Sequence, residues 1–278
     1  SSVGSWICDF LKIVLCLKVI NHKSIKMNKL ILLLLLVSGF VNAQEKNVWL
    51  FQIHEMEVSG NVNDFIKDQK EFHKKLAVLG VETNEWAGWS CMRSVSSGNK
   101  FIFIHHFNSV EQRVNSRIWT QENIDKLGLK APEGNTYTAK TTAPIYMYEA
   151  QMAANDKEPS KYWKLNHHKF TNASDYIKHN KSWGEMVVKK AQKNVEGMNW
   201  GFGTLLSHAE VLDSKSLIYN GISFDGFGTL EEMLSSQLYN DEMNPLVTKW
   251  YDETQRQGFI NSQYGGKSEL WIEIDTTF

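Results

Sequence analysis

Histidine and asparagine residues on strand-like segments are the side chains of this sequence best suited to chemistry. His54 lies in a β-rich run, His106 ends a second run, and His168 follows Asn166 by two residues in a third. An imidazole can bind a metal ion or haem, but two histidines without a carboxylate at fixed spacing are weak evidence for a ligand set. We therefore favour hydrogen-bonded structural histidines and predict no metal site.

The neighbours of these histidines limit what they can bind together. His105 precedes His106 and His167 precedes His168, and adjacent residues of a strand point to opposite faces of a sheet. Neither pair can therefore bind one metal ion with both rings. The chain also has no P-loop, no Gly-x-Gly-x-x-Gly after a strand, no His-Glu-x-x-His and no Gly-x-Ser-x-Gly.

Two tryptophans and one cysteine are further candidates. Trp86 and Trp200 occupy matched positions and could form the wall of a ligand pocket, although large aromatic residues more often pack in cores. Cys91 lies in a strand-like stretch, where we favour a buried, inert thiol over a nucleophile. We take both tryptophans as candidate ligand contacts and leave catalytic residues unassigned.

The composition excludes some classes of partner. The 278 residues carry a formal net charge of −1, so no basic surface predicts nucleic-acid binding. Aromatic residues make up 12% of the chain and include ten tryptophans, a composition that suits a pocket for a small molecule. A small-molecule ligand is therefore the expected partner.

The amino-terminal region has the pattern of a secretory signal peptide. Met27 opens a short basic start, an apolar run follows, and Val41-Asn42-Ala43 ends with a small residue where a signal peptidase would cleave. We predict a signal peptide over residues 27–43, a mature terminus at Gln44, and a secreted or periplasmic protein without a membrane span. Residues 1–26 are interpreted as a dispensable upstream extension, the alternative being a genuine apolar extension of the protein.

An internal repeat is the strongest signal in the sequence. Asp64–Phe72 recurs as Asp175–Trp183, and Val81–Trp86 recurs as Val195–Trp200, in the same order. Each copy shows the hydrophobic pattern of a β-α-β-β-α-β module. In the first copy the second helix is expected over residues 109–127. We predict a first module over 44–155 and a second over 156–278.

This element order is that of the ferredoxin-like split β-α-β motif. Two such modules with secretory targeting resemble the dimeric α/β-barrel superfamily, which includes antibiotic-biosynthesis-type monooxygenases, haem-degrading enzymes and chlorite-dismutase-like proteins. The resemblance covers residues 47 to 275. It implies an α+β fold in which the two modules pack as an intramolecular dimeric α/β barrel, in a monomer or weak homodimer.

The resemblance also implies which residues an enzyme of this superfamily would use. Asn166, Trp200 and His168 would form the group to test, with haem as one candidate cofactor. The sequence departs from the haem-degrading pattern because it shows no clear helical histidine in register with that group. His179 is the nearest candidate.

Strand alternation gives an expectation for the barrel interior. We expect apolar residues of the first strand of each copy to face the helices, and these are Phe51, Ile53, Trp163 and Leu165. We expect the alternate residues to face the interior, and these are Gln52, His54, Met56, Lys164, Asn166 and His168. Since the first and third strands are neighbours in this fold, His54 is expected to approach His106. We take His54, His106, Asn166 and His168 as further candidate ligand contacts.

Three functions are compatible with this sequence. The favoured one is an exported protein that binds a small apolar or aromatic ligand in the barrel interior without converting it. The alternative is a monooxygenase-like or haem-active enzyme, since such enzymes need few catalytic side chains. The third is a degenerate duplicate with a structural role.

Overall fold

The computed structural model describes residues 49–130, 136–139, 143–153, 160–195, 197–206, 219–235, 241–256 and 263–277, without the side chains of 136–139 and 263–265. These residues belong to one compact unit, Asn47–Phe278. The predicted upstream extension and signal peptide, residues 1–43, lie outside the described residues.

The first half of the unit follows the predicted element order with one added strand. Its strands are β1 (Leu50–Ser59), β2 (Gly88–Ser94), β3 (Lys100–Phe107), β4 (Thr136–Ala139) and β5 (Ile145–Met152). Its helices are α1 (Val62–Asp68), α2 (Lys74–Glu82), α3 (Val110–Asn115) and α4 (Gln121–Lys126), with a π-helical turn, Gln69–His73, between α1 and α2. The helix expected over 109–127 is therefore two short helices, because Ser116 adopts an extended backbone conformation.

The second half repeats this order. Its strands are β6 (Tyr162–Phe170), β7 (Asn199–Leu205), β8 (Gly221–Phe227) and β9 (Gln263–Thr276). Its helices are α5 (Ala173–Trp183), α6 (Lys189–Ala191), α7 (Leu230–Ser235) and α8 (Asn244–Arg256), with a π-helical turn, Gly184–Val188, between α5 and α6.

The two halves also begin their first helices in the same way. The side chain of Asn61 accepts a hydrogen bond from the backbone of Asn63, and the side chain of Asn172 accepts one from the backbone of Asp175. Each asparagine thereby satisfies a backbone N–H that lacks a helical partner. This shared capping agrees with the internal repeat of the sequence.

The strands close into an eight-stranded antiparallel barrel. Within each half the order is that of a ferredoxin-like sheet, β5-β1-β3-β2 in the first and β9-β6-β8-β7 in the second. Pairing of β2 with β9 and of β5 with β7 joins the two sheets, and β4 extends the end of β1. The fold is therefore the predicted α+β arrangement, two ferredoxin-like modules packed as a dimeric α/β barrel within one chain.

Both faces of the barrel sheet are buried. One apolar cluster lies between sheet and helices in each half, around Phe103 and Trp89 in the first and around Tyr176 and Phe202 in the second. A third cluster draws on both halves and lines the barrel interior, and its buried members are Phe51, Ile53, Met92, Ile102, Ile104, Tyr146, Leu165, Ile222 and Trp271.

The expected orientation of the first strands was wrong. Phe51, Ile53 and Leu165 belong to the interior cluster, with Trp163 packed against it, whereas His54, Asn166 and His168 lie on the face that carries the helices. The interior of an eight-stranded barrel is just wide enough to be filled by side chains or to hold one small ligand, and here the bulky apolar set lines it. The polar set lies under the helices, where Asp225 and Ser223 supply hydrogen-bond partners to Asn166 and His168, whereas the buried Nε2 of His54 has none among the described residues.

Candidate functional site

A cavity of about 520 Å³ occupies one end of the barrel interior. Its walls are mostly apolar and aromatic, and Phe51, Trp163, Leu165 and Phe224 lie among them. The aromatic rings contact one another, since the Phe224 ring centroid lies 6.2 Å from that of Trp163. A concave, largely apolar pocket of this size with a few polar groups is typical of a small-molecule site.

Two glycines on β7 bring neighbouring rings close to the strand. A Cβ at Gly203 would lie 2.8 Å from the Phe51 ring, and a Cβ at Gly201 would lie 2.5 Å from the Phe224 ring. Both positions therefore require glycine if these rings are to keep their places along the cavity.

A hydrogen-bonded pair, His106 and Tyr148, supplies polar atoms to this cavity. The Tyr148 Oη lies 3.0 Å from His106 Nδ1. Burial lowers the pKa of His106 to about 4, so the imidazole is neutral at pH 7. Burial also raises the pKa of the Tyr148 hydroxyl. The pair therefore offers hydrogen bonds without a formal charge, and His106 faces the interior as the sequence predicted.

Glu273 is a carboxyl group on the mostly apolar wall of this cavity. It follows Trp271 by two residues on β9, opposite Met92 of β2, so its side chain shares the interior face. Burial raises the pKa of Glu273 to about 7. The charge of Asp275 also raises this pKa, whereas the Trp163 indole lowers it. An acid poised near neutral pH in an apolar cleft is a candidate proton donor or acceptor.

Ion pairs occupy the opposite end of the interior. Lys100 Nζ lies 2.7 Å from Glu55 Oε1 and 2.8 Å from Glu269 Oε1, and Lys267 Nζ lies 3.1 Å from Glu269 Oε2. Burial opposes ionisation of Glu269, but hydrogen bonds from His167 and Lys100 and the charges of both lysines outweigh it and lower its pKa. These charges pair with one another and leave the open end of the cavity apolar.

A second cavity of about 380 Å³ lies on the helix-facing side of the second module. It brings together Asn166, His168 and Trp200, which the sequence analysis selected, and it adds His179 of α5. The Trp200 side chain is only 2% exposed and packs in the core of the second module, and it borders both cavities.

Hydrogen bonds fix the polar residues of this helix-side cavity. Asn166 Nδ2 donates to Asp225 Oδ2 at 2.9 Å, and His168 Nε2 lies 2.9 Å from Ser223 Oγ. Burial raises the pKa of Asp225 to about 6, although the bond from Asn166 and the charge of Lys164 oppose it. Burial lowers the pKa of His168 to about 4, and the neighbouring histidines add to this shift. Asp225 is therefore a candidate acid–base group among the described residues that line this cavity.

Two of the predicted pocket residues of the first module, His54 and Trp86, lie apart from both cavities. His54 packs against His105 with ring centroids 4.8 Å apart, and Trp86 stacks on His105 at 4.4 Å. The Trp86 indole donates to Ser116 Oγ at 2.8 Å. His54 therefore does not approach His106, since the two rings lie on opposite faces of the sheet.

Metal and haem ligation find little support in these contacts. In the part of the chain that the structure describes, no three His, Cys, Asp or Glu side chains converge on a metal position. His106 and His168 each use a ring nitrogen on a hydroxyl group, and the His179 ring packs 4.6 Å from Trp250. Among these described histidines, His179 keeps a buried Nδ1 without a hydrogen-bond partner. This single nitrogen does not by itself define a haem site, and we derive no step from haem.

Cys91 is confirmed as a buried thiol. It has no disulfide partner, and burial raises its pKa well above the usual value, with further contributions from Asp275 and Glu273. A thiol of this kind is a poor nucleophile.

None of the helices in the described ranges is long and apolar enough to span a membrane.

Comparisons with solved structures agree with the fold. A protein of Lactobacillus acidophilus, provisionally named a monooxygenase, superimposes with a TM-score of 0.53 at 10% identity, over 82% of this chain and 95% of its own. A protein of Fusobacterium nucleatum with the same provisional name gives 0.51 at 9% identity, over 83% and 94%. No family model and no curated protein sequence matches this chain. At these identities the likeness shows the dimeric α/β-barrel fold alone.

Sequence reasoning missed Glu273, Tyr148 and the interior role of Trp163. The signal for Glu273 was the alternation Glu269, Trp271, Glu273, which places two acids on the face of a large aromatic residue. The predicted strand contained these residues, but nothing in the pattern assigned that face to the barrel interior.

Proposed function

We propose that this protein binds a small apolar or aromatic molecule in the barrel interior. The supporting observation is the cavity of about 520 Å³, open at one end, whose wall is apolar except for a few polar groups. Burial of apolar ligand surface contributes about 25 cal/mol of binding free energy for each Å². A wall of apolar and aromatic side chains therefore favours an apolar or aromatic ligand. The His106–Tyr148 pair and Glu273 would orient the ligand by hydrogen bonds.

A neutral fluorescent probe tests this function. N-phenyl-1-naphthylamine fluoresces more strongly in an apolar site, and we expect saturable binding by the purified protein. The variant Leu165→Trp fills the interior and should weaken binding at least about tenfold, a loss of about 1.4 kcal/mol. Leu206→Trp is the matched control, because Leu206 is 54% exposed at the end of β7.

The outcome separates a cavity site from surface binding. Equal probe binding by the wild type and both variants would contradict the proposal, once circular dichroism shows that the variants are folded. Ser90→Leu offers a smaller filling change, since Ser90 also lines the cavity, and it serves if Leu165→Trp fails to fold. Intact-mass measurement under native conditions would identify a ligand that copurifies.

A second candidate function is monooxygenase-like catalysis in the helix-side cavity. The observation that favours it is the convergence of Asn166, His168, His179 and Trp200 on one cavity beside the Asp225 carboxylate. In such a reaction an electron-rich aromatic substrate itself reduces dioxygen. A ring CH₂ becomes C=O, and the second oxygen atom leaves as water with the two hydrogens. Asp225 would accept the first proton.

Oxygen consumption with electron-rich cyclic aromatic substrates tests this second function. Asn166→Ala and Asp225→Asn should lower the rate by roughly 10²-fold or more, the usual size of an acid–base contribution. Leu165→Trp, in the other cavity, should leave the rate unchanged. Absence of oxygen uptake above the buffer rate would count against catalysis and leave the binding function.

We further propose that the protein acts outside the cytoplasm, because the segment 27–43 has the pattern of a cleaved signal peptide. Amino-terminal sequencing of protein recovered from a bacterial periplasm should begin at Gln44. A terminus upstream of Met27 would contradict this.

A further inference from the structure

The described residues that line the barrel cavity include a negatively charged side chain but no positively charged one. Among the described residues that line it, Glu273 is the one side chain with a formal charge, and no lysine or arginine is present. His106 is neutral at pH 7 because burial lowers its pKa to about 4. No ion pair to Glu273 occurs within the described residues. A carboxylate in an apolar cleft is unfavourable unless a positive charge or hydrogen-bond donors meet it.

Aromatic rings line the same cavity as this carboxylate, and one of them, Trp163, lies close to it. Trp163 of β6 interacts with it through the indole, and Phe224 and Tyr148 extend the aromatic surface, with ring centroids 5.8 Å apart. The ring centroid of Phe51 lies 4.4 Å from that of Tyr148. The faces of aromatic rings attract cations, and such surfaces recognise quaternary ammonium compounds. The wall and the carboxylate therefore favour the same kind of ligand.

We propose that the barrel cavity selects an organic cation, an aromatic or alkyl ammonium compound whose positive charge pairs with Glu273 and contacts the surrounding rings. This inference rests on the proposed ligand-binding function and names its substrate class. An anionic ligand is disfavoured, because no positively charged side chain lines the described part of the cavity. A neutral ligand would leave the carboxylate without a counter-charge.

The groups around Glu273 leave it free to respond to the ligand. Asp275 lies two residues further on β9, and its carboxylate pairs with Lys74 of α2 at 2.5 Å. Arg93 of β2 donates to the backbone of Gly98. On β6, the Trp163 indole lies near the carboxylate and acts to lower its pKa. Further into the barrel Lys100, Glu55, Glu269, Lys267 and His167 form their own ion-pair network. Titration of Glu273 should thus govern any pH dependence of cation binding.

A pair of isosteric probes tests the selection. Phenyltrimethylammonium and tert-butylbenzene have the same shape and differ by one positive charge. Each is titrated against protein loaded with N-phenyl-1-naphthylamine, and displacement is measured at pH values above and below 7. We expect the cation to bind about tenfold or more tightly than its neutral isostere at high pH. The ring contacts offset the cost of desolvating the cation, and the charge pairing with Glu273 supplies the preference. The preference should fall towards unity about two pH units below the pKa of Glu273.

Variants assign the effect to the carboxylate. Glu273→Gln should lower the affinity for the cation to that for tert-butylbenzene at all pH values. Asp275→Asn, which removes one negative charge nearby on the helix-facing side, should keep the preference. Equal affinities of the two isosteres for the wild type, or a preference that survives in Glu273→Gln, would overturn this inference alone. Failure of both isosteres and the fluorescent probe to bind would instead overturn the proposed function.

Discussion

Acidification should destabilise this protein strongly, because its histidines are buried in their neutral form. Burial lowers the pKa from 6.5 to about 4 for a set consisting of His54, His73, His106, His168 and His179. A folded-state pKa below the unfolded value means that the unfolded chain binds protons more readily. The stability due to these neutral histidines is present above pH 6.5 and is lost as the pH falls towards 4.

The size of the effect follows from the pKa values. Between about pH 7.5 and about pH 5.5, one such histidine loses ~1.3 kcal/mol of unfolding free energy, so five lose ~7 kcal/mol as an upper limit. Glu273 and Asp225 act in the opposite direction, because burial raises their pKa values to about 7 and about 6. Their protonation in the folded state returns ~3 kcal/mol over the same range. We expect a net loss of about 4 kcal/mol of unfolding free energy. This is a large share of the unfolding free energy of a folded protein, which is usually about 5–15 kcal/mol.

Urea unfolding followed by circular dichroism measures this loss. With a slope of about 2 kcal/mol per molar urea, the midpoint should fall by about 2 M between the two pH values. The variant Glu273→Gln is the matched control, because it cannot take up the compensating proton, so its loss should exceed that of the wild type by ~2 kcal/mol. An unchanged or higher midpoint in acid, or a smaller loss in the variant, would refute the reasoning.

Three further predictions concern the barrel. Gly203→Val should destabilise the fold by about 1–3 kcal/mol and displace the Phe51 ring, since a Cβ at this glycine would lie 2.8 Å from it; an unchanged unfolding midpoint would contradict this. Lys100→Met should destabilise by about 3–5 kcal/mol at any ionic strength, because it leaves two carboxylates facing each other; full recovery in high salt would show that the pair is exposed. Residues 44–155 and 156–278 expressed separately should dimerise or aggregate, as each exposes the interior face of its sheet, and two monomeric, cooperatively unfolding halves in analytical ultracentrifugation would refute a shared interior.

The sequence by itself determined the order of elements and the doubling of the fold. Matched blocks such as Asp64–Phe72 and Asp175–Trp183 indicated two copies of one module, and the structure shows an asparagine cap at the start of the first helix of each copy. These features are local, since capping and hydrophobic periodicity depend on residues close together in the chain. That is why the element order, and from it the barrel, could be predicted without coordinates.

The tertiary structure decided which face of each strand is the interior. Alternation placed Phe51 and His54 on opposite faces of the sheet, but it could not tell which face is the barrel interior. Both faces are buried, and only the closure of the barrel distinguishes them. A β-bulge between Tyr148 and Ala150 further shifts the alternation within β5. The meeting of Glu273 with the aromatic wall depends on the register of β9 with strands of both modules, and that long-range pairing is not encoded in any local pattern.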